Sequence, residues 1–257
     1  MTRACAVSAV GDAYGVVLRI GAHLAWKDFN DPIGVVLNNK THLHTLYVEP
    51  LPSAFQKLSE NLNKERDQHP NVLLENAAAC ANDHSNITFY SHNLGTDPTR
   101  PPQISSTSRE NVVNVIRQSR LPDSVWANHI VELHVPCYSV PTLLARHNLA
   151  ERDLRAILID AEGNDLDILE SIEWGKGRVH PKLLLFEQRI VRSKRKGPAR
   201  ILALIRRLTT KHGYSCRETP VRPDDWWCVH ETAAHLHGCD VISASEQTFQ
   251  VRGSVAG

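Results

Sequence analysis

Short apolar runs that stop abruptly at a charged or small residue recur along this chain. Residues 16–20, 46–48, 72–74, 157–159 and 183–186 are continuous runs dominated by Val, Leu and Ile. Such runs suit strands buried on both faces, as in a parallel sheet with helices on each side. Between them lie segments with apolar residues at helical spacing. Ile33, Val36 and Leu37 follow Asp31-Pro32, an N-cap and first-position pair; Phe55, Leu58 and Leu62 follow Pro52. Val112, Val113 and Ile116 follow Thr107 and Glu110, which read as a capping box. Leu166, Leu169 and Ile172 share a face from which Asp165 and Asp167 are absent, and Ile201, Leu202, Leu204, Ile205 and Leu208 form the last stripe. Residues 86–90 and 130–135 alternate as half-buried strands do, and 140–147 reads as a short helix. Residues 214–217 and 226–230 flank a polar turn and read as a closing antiparallel pair. The pattern predicts one α/β unit: a mostly parallel sheet, helices on both faces, and a C-terminal antiparallel hairpin. It covers residues 1–230. Residues 91–106 are polar and Pro-rich and read as a lid or loop insertion, and 231–257 as a tail without a clear period.

The chemistry sits where the apolar runs end. The first run meets Gly21-Ala22-His23, the second Glu49-Pro50, the third Glu75-Asn76-Ala77, the fourth Asp160-Ala161-Glu162-Gly163 and the fifth Glu187. In open α/β sheets ligands bind at the carboxyl ends of the strands. A carboxylate there has no structural use to a buried strand and costs desolvation unless something pairs with it. Glu162 equally suits the cap of the following helix; Asp160 points to function. Glu49 is placed as a ribose-binding acid at the second strand tip. The alanines after Asn76 let a flat ring lie on the backbone, or are plain close packing. His92 and Asn93, at the base of the polar loop, are candidate substrate contacts.

Composition narrows the class. The chain has 257 residues, 42% hydrophobic and 22% charged, as for an ordinary globular protein. Its net charge of +1 implies no nucleic-acid or membrane partner. The basic run from Arg189 to Arg217 reads as a solvated loop and helix face. The six cysteines form no Cys-x-x-Cys pair and read as reduced thiols of an intracellular protein, although Cys216 and Cys228 can face each other across the hairpin. No apolar run approaches the roughly 20 residues that span a bilayer, and the first 15 residues lack the apolar centre of a signal peptide. A cytoplasmic location is the expectation. His235, His237 and Cys239 fit no common zinc spacing, and no metal set is expected.

Three segments together resemble the FkbM-type methyltransferases, of the seven-stranded class that uses S-adenosylmethionine. They are RIGAHLAWKDFNDPIG with LYVEPLPSAFQKLSENL, NVLLENAAAC, and VPTLLARHNLAERDLRAILIDAEGNDLDILESI with LLLFEQ. The chain departs from the common pattern at Arg19, Leu24 and Ala25, where many members carry an acid and a second glycine. The resemblance implies a single Rossmann-like, seven-stranded, mostly parallel sheet with helices on both faces, and a cofactor laid across the strand tips. Gly21, Ala22 and His23 would pass its amino acid part, with Asp31 of the Asn-Asp-Pro variant in the same cofactor-binding set. Glu49 and Pro50 would hold the ribose; Asn76 and Ala77 would lie by the adenine. Asp160 and Glu162 would line the methyl-transfer site.

The implied activity is O-methylation of a small-molecule or sugar hydroxyl. Catalysis is then mostly in-line positioning, with Asp160 or His23 as general base, Glu162 positioning the acceptor and Glu187 a further substrate contact. A metal bridging Asp160 and Glu187 is a variant that no histidine pair supports. The alternative is a catalytically degenerate binding or scaffold protein on the same fold. A nicotinamide dehydrogenase is argued against by the missing Gly-x-Gly-x-x-Gly. The acceptor and the oligomeric state are not legible in the sequence.

Overall fold

A computed structural model describes residues 14–24, 42–92, 105–118, 129–174, 180–188, 197–218 and 225–233. Its main sheet contains β1 (Gly15–Ile20), β2 (Leu43–Val48), β3 (Val72–Glu75), β8 (Leu154–Ile159), β9 (Leu183–Glu187), β10 (Tyr214–Glu218) and β11 (Asp225–His230). Their order is β10-β11-β9-β8-β1-β2-β3. The five strands from β3 to β9 run parallel, and β11 is antiparallel to both neighbours, giving the expected closing hairpin. Register is the fact that matters for the site. Ile20 pairs with both Val48 and Ile159, Val48 with Glu75, and Ile159 with Phe186. Five adjacent strands therefore end at one level, with Gly21, Glu49, Asn76, Asp160 and Glu187 at or just beyond their last pairings.

Successive strand side chains point to opposite faces, and they feed two apolar clusters. One joins Val16, Leu18, Ile20, Ile157 and Ile159 to residues of α3 (Val140–Arg146), α4 (Asp165–Ser171) and α5 (Gly197–His212). The other joins Val17, Tyr47, Ala156 and Leu158 to Leu58 and Leu62 of α1 (Pro52–Lys64). The helix expected after Asp31 lies outside the described residues.

The expectation of a single sheet is corrected. A second, four-stranded sheet has the order β4-β7-β5-β6, from β4 (Ala78–Ala79), β5 (His84–His92), β6 (Ser105–Ser106) and β7 (Ile130–Tyr138). Its long pair is antiparallel, and Tyr90↔Ser106 and Ser91↔Ser105 close the base of the predicted loop. The ends of the 91–106 segment are thus strand; residues 93–104 lie outside the described residues. Val112, Val113 and Ile116 of α2 (Arg109–Gln118) pack against Tyr90 and Ile130. Its cap is Ser108 rather than Thr107: Ser108 Oγ accepts the Asn111 N–H at 3.3 Å, while Thr107 Oγ1 accepts from Asn164 Nδ2.

Four cysteines are paired, which overturns the reduced-thiol expectation for them. Cys80 bonds Cys137 beside the β4–β7 pairing, and Cys216 bonds Cys228 directly across the hairpin. Strand pairing between segments far apart in sequence brings the first pair together, so their spacing along the chain carried no sign of it. Among the described residues no helix is long and apolar enough to cross a membrane.

Candidate active site

The tip of β1 folds back on its neighbours. Gly21 and Ala22 both donate their N–H to the Val48 carbonyl, at 3.0 and 3.2 Å, and Asp160 N–H reaches the Ile20 carbonyl at 3.0 Å. Gly21 has φ +73°, where a side chain is strained, and the backbone of Asp160 fills the place its Cβ would take. His23 at φ +46° and Glu162 at φ +49° are also left-handed without being glycine. Two such residues on neighbouring loops mark strain held by the surrounding structure, as at ligand sites.

Glu49 is 4% exposed. Its Oε2 accepts the His23 N–H at 2.7 Å and its Oε1 the Leu51 N–H at 2.9 Å. Burial pushes its carboxyl up to about 7; the two backbone donors and nearby Arg19 pull the other way, and Asp160 adds repulsion. Asn76 Nδ2 donates to the Glu49 carbonyl oxygen at 2.8 Å, so the third strand tip steadies the second. Glu75, just before it, is bound by Arg146 Nε at 3.1 Å and His147 Nε2 at 2.8 Å.

The Asp160–Asn164 turn is held from beneath by Asp165. This residue was expected off the apolar face, yet it is fully buried at the first position of α4. Its Oδ2 accepts the Ala161 N–H at 3.2 Å and its Oδ1 the Glu187 N–H at 3.1 Å, joining the fourth and fifth strand tips. Burial first, and the Asp160 charge second, raise its carboxyl to about 7.

These tips open into one cavity lined by Ile20, Gly21, His23, Glu49, Pro50, Leu51, Ala78, Ala79, Phe89, Ser105, Asp160, Ala161, Glu162 and Asn164. It spans about 620 Å³ including the open space at its mouth. Of the residues singled out in the sequence, Gly21, His23, Glu49, Pro50, Asp160 and Glu162 line it. Ala22, Asn76, Ala77, His92 and Glu187 do not. Ala22 and Ala77 are buried, and Glu187 ends β9. His92 is half-buried at the end of β5, where burial lowers its imidazole pKa. Asp31 and Asn93 lie outside the described residues. Of the alanines after Asn76, Ala78 and Ala79 line the cavity and Ala77, singled out for the cofactor, does not; Ala161 lines it as well. Phe89 and Ser105 come from the second sheet, which no signal in the sequence placed here. Asn164 had one signal, its place just before an amphipathic helix. Among the described residues no group of three or more His, Cys, Asp or Glu is arranged to hold a metal ion.

Comparison with known proteins bears on this site. A family model described as the Methyltransferase FkbM domain matches residues 20–216. Solved structures resemble the chain at low identity. A methyltransferase FkbM from Methylobacillus flagellatus is 14% identical with a TM-score of 0.47, over 84% of this chain and 44% of that one. The chain thus spans less than half the length of that protein. A precorrin-6y C5,15-methyltransferase from Geobacter metallireducens is 12% identical with a TM-score of 0.39, over 88% of this chain and 85% of its own. A TDP-rhamnose 3'-O-methyltransferase of calicheamicin biosynthesis is 12% identical with a TM-score of 0.42, over 87% and 75%. No curated protein matches the chain.

Proposed function

We propose an S-adenosylmethionine-dependent O-methyltransferase, starting from the fact that the chain belongs to the FkbM methyltransferase domain family. The acceptor in this reading is a small-molecule or sugar hydroxyl. The observation that carries it is the convergence of Gly21, Glu49 and Asp160 on one cavity. The Rossmann-like description, with helices covering both faces, belongs to the same reading and is supported by the two apolar clusters. So does the division into a domain over residues 1–230, with an insertion at 91–106 and a tail at 231–257.

The residues present fit the cofactor. Each Glu49 oxygen accepts one backbone N–H, and a carboxylate oxygen has capacity for a second donor. The ribose hydroxyls supply such donors, and Pro50 and Leu51 continue the wall on that side. The turn at Gly21 brings backbone rather than side chain to the cavity beside Asp160. Asp31, Asn76 and Ala77 complete the cofactor-binding set in this proposal, Asn76 by steadying the Glu49 backbone. When bound, the cofactor supplies an electrophilic methyl group on a sulfonium. The protein's work is to hold an acceptor hydroxyl in line and to take its proton. Asp160 or His23 takes that proton, and Glu162, held at its left-handed turn, positions the acceptor. His92, Asn93 and Glu187 remain proposed substrate contacts. A cytoplasmic location also stands as a proposal, which the two disulfides oppose; thiol labelling in freshly lysed cells decides it.

Titration calorimetry with S-adenosylmethionine and S-adenosylhomocysteine tests the reading. Saturable heat is expected for both, weakened in Glu49→Gln by roughly 10- to 100-fold, the loss from a hydrogen bond to a charged group. Absence of heat at millimolar ligand overturns it. The non-catalytic scaffold reading fails if the protein consumes the cofactor with any acceptor.

A further inference from the structure

We infer that the Cys80–Cys137 disulfide is a thiol–disulfide exchange site, and that its reduction by a dithiol loosens one wall of the cavity and weakens ligand binding. The inference takes S-adenosylhomocysteine as its readout ligand and in that respect rests on the methyltransferase reading.

The bond stands directly behind that wall. Ala78 and Ala79, the whole of β4, line the cavity, and Cys80 follows them. β4 is an edge strand of the second sheet and pairs with β7 through Ala78↔Cys137 and Ala79↔Tyr138. The Cys80 N–H adds a hydrogen bond to the Tyr138 carbonyl at 2.9 Å. Ala78 packs with Phe89, Val135 and Cys137, whereas Ala79 belongs to the core of the main sheet, and Phe89 lines the cavity as well. β4 is therefore where the second sheet meets the main core, and the disulfide is its covalent fastening. A two-residue edge strand has few interactions of its own and sits at the low-stability end of a fold.

The two disulfides differ in access. Cys80 is half-buried, with Cys137 fully buried behind it, whereas Cys216 and Cys228 are only 5% and 0% exposed. Exchange begins at the sulfur that a thiolate can reach. A dithiol, as its thiolate, attacks Cys80 Sγ; the S–S bond breaks, and Cys137 Sγ leaves with the electron pair and takes a proton. The second thiol of the reductant then displaces Cys80 Sγ from the mixed disulfide. The chain gains two electrons and two protons, and the dithiol ends as its own disulfide. Noncovalent ties on either side survive this step. Before β4, Asn76 Nδ2 holds the Glu49 carbonyl; after it, Asp83 accepts the Ser139 N–H at 2.7 Å and the Thr142 hydroxyl at 2.8 Å. Loosening is thus confined to the stretch between Asn76 and Asp83 and is reversed on reoxidation. Such a bond also suits the proposed cytoplasmic location, where disulfides are as a rule transient and redox-sensing.

The test uses the full chain, oxidised in air, with accessible thiols blocked by iodoacetamide and then exposed to graded dithiothreitol without denaturant. Newly freed cysteines in one portion are tagged with N-ethylmaleimide and located by peptide mass. Cys80 and Cys137 are expected to be tagged at a lower dose than Cys216 and Cys228. In an untagged portion at that dose, affinity for S-adenosylhomocysteine is expected to fall roughly tenfold, as for a wall that keeps its binding geometry about a tenth of the time. The reduced chain is expected to keep a cooperative thermal melt, and reoxidation to restore the affinity. Cys80→Ser with Cys137→Ser is expected to show the weaker affinity at every dose. Unchanged affinity with Cys80 and Cys137 freed overturns the inference; so does cleavage of Cys216–Cys228 first, or loss of the cooperative melt. If the oxidised chain gives no heat with S-adenosylhomocysteine, the methyltransferase reading has failed. Hydrogen exchange then decides the switch alone: the Cys80 amide is expected to exchange faster on reduction, and an unchanged rate overturns it.

Discussion

A side chain at position 21 would overlap the carbonyl oxygen of Asp160 and sit 2.9 Å from its carbon, on backbone at φ +73°. The neighbour is backbone, so it cannot turn aside. Gly21→Ala is expected to lower stability by about 3 kcal/mol or more, combining left-handed strain with the clash. Urea unfolding measures it, and a midpoint within error of the parent would show that the β1 and β8 tips part freely. Asp165 is the second case. Its two oxygens take two N–H groups, whereas an asparagine offers one oxygen and turns an N–H₂ toward the other donor. Asp165→Asn is expected to cost about 1–3 kcal/mol, a fall of roughly 2–12 °C in melting temperature for a domain of this size. Glu49 bears on the proposed function as well as on stability. Its carboxyl is raised from 4.5 to about 7, and the ionised form is the better acceptor of ribose hydroxyls. Cofactor affinity is expected to rise as pH goes from 6 to 8 and then level off, with up to about tenfold loss per pH unit below the transition. Calorimetry across that range checks it, with Glu49→Gln as the flat control.

At the scale of elements, the end of the sheet opposite the cavity carries a different chemistry. His180 precedes β9, His212 ends α5 and His230 ends β11. The His180 and His230 rings lie 5.5 Å apart, Tyr214 meets His230 at 5.0 Å, and Trp174 meets His212 at 6.0 Å. The Tyr214 hydroxyl donates to the Pro181 carbonyl at 2.6 Å. His230 Nδ1 lies 2.9 Å from Thr232 Oγ1 and 3.3 Å from the Thr232 backbone N; a proton on that nitrogen gives up the N–H contact and is donated to the hydroxyl oxygen instead. Burial lowers the pKa of both His212 and His230, and Arg207, Lys211, Lys182 and His180 add repulsion, against which Glu231 works at His230. The unfolded chain then binds more protons than the native one below the ordinary value of 6.5. The stability tied to neutral rings is present above that pH and is lost as pH falls through it. Glu49 and Asp165 act in the opposite sense. Raised from 4.5 and 3.8 to about 7, they favour the native state as pH drops from 7. His212→Gln with His230→Gln is therefore expected to lose less melting temperature than the parent between pH 7.5 and 5.5. An identical slope would remove the histidines from the account. The sequence discloses some of these elements and conceals others for physical reasons. The parallel strands were legible because burial on both faces leaves uninterrupted apolar runs, and their tips because charge interrupts those runs. Strands β5 and β7 were legible as the alternating runs at 86–90 and 130–135, but their union in a second sheet was not, since β4 and β6, at its two edges, are only two residues long. Asp165 was misplaced for a related reason. Helical periodicity assigns an acid to solvent, and only the three-dimensional approach of two loop N–H groups makes it an interior acceptor.

For the molecule as a whole, stability and site meet at the disulfides. Cys80–Cys137 closes a separation of 57 residues and Cys216–Cys228 one of 12. Constraint of the unfolded chain makes these worth about 4 and 3 kcal/mol in the chain-entropy picture. The two differ in what lies beside them. The first follows Ala78 and Ala79, which line the cavity and pair with Cys137 and Tyr138; the second ties the hairpin at the far edge of the main sheet. Removing the first pair (Cys80→Ser with Cys137→Ser) is expected to lower both the melting temperature and the affinity for S-adenosylhomocysteine. Removing the second (Cys216→Ser with Cys228→Ser) should lower the melting temperature by a similar or smaller amount and leave that affinity unchanged. Thermal melts and calorimetry on the two double variants separate the effects. Equal loss of affinity in both would mean that the cavity depends on overall stability and not on the β4–β7 wall.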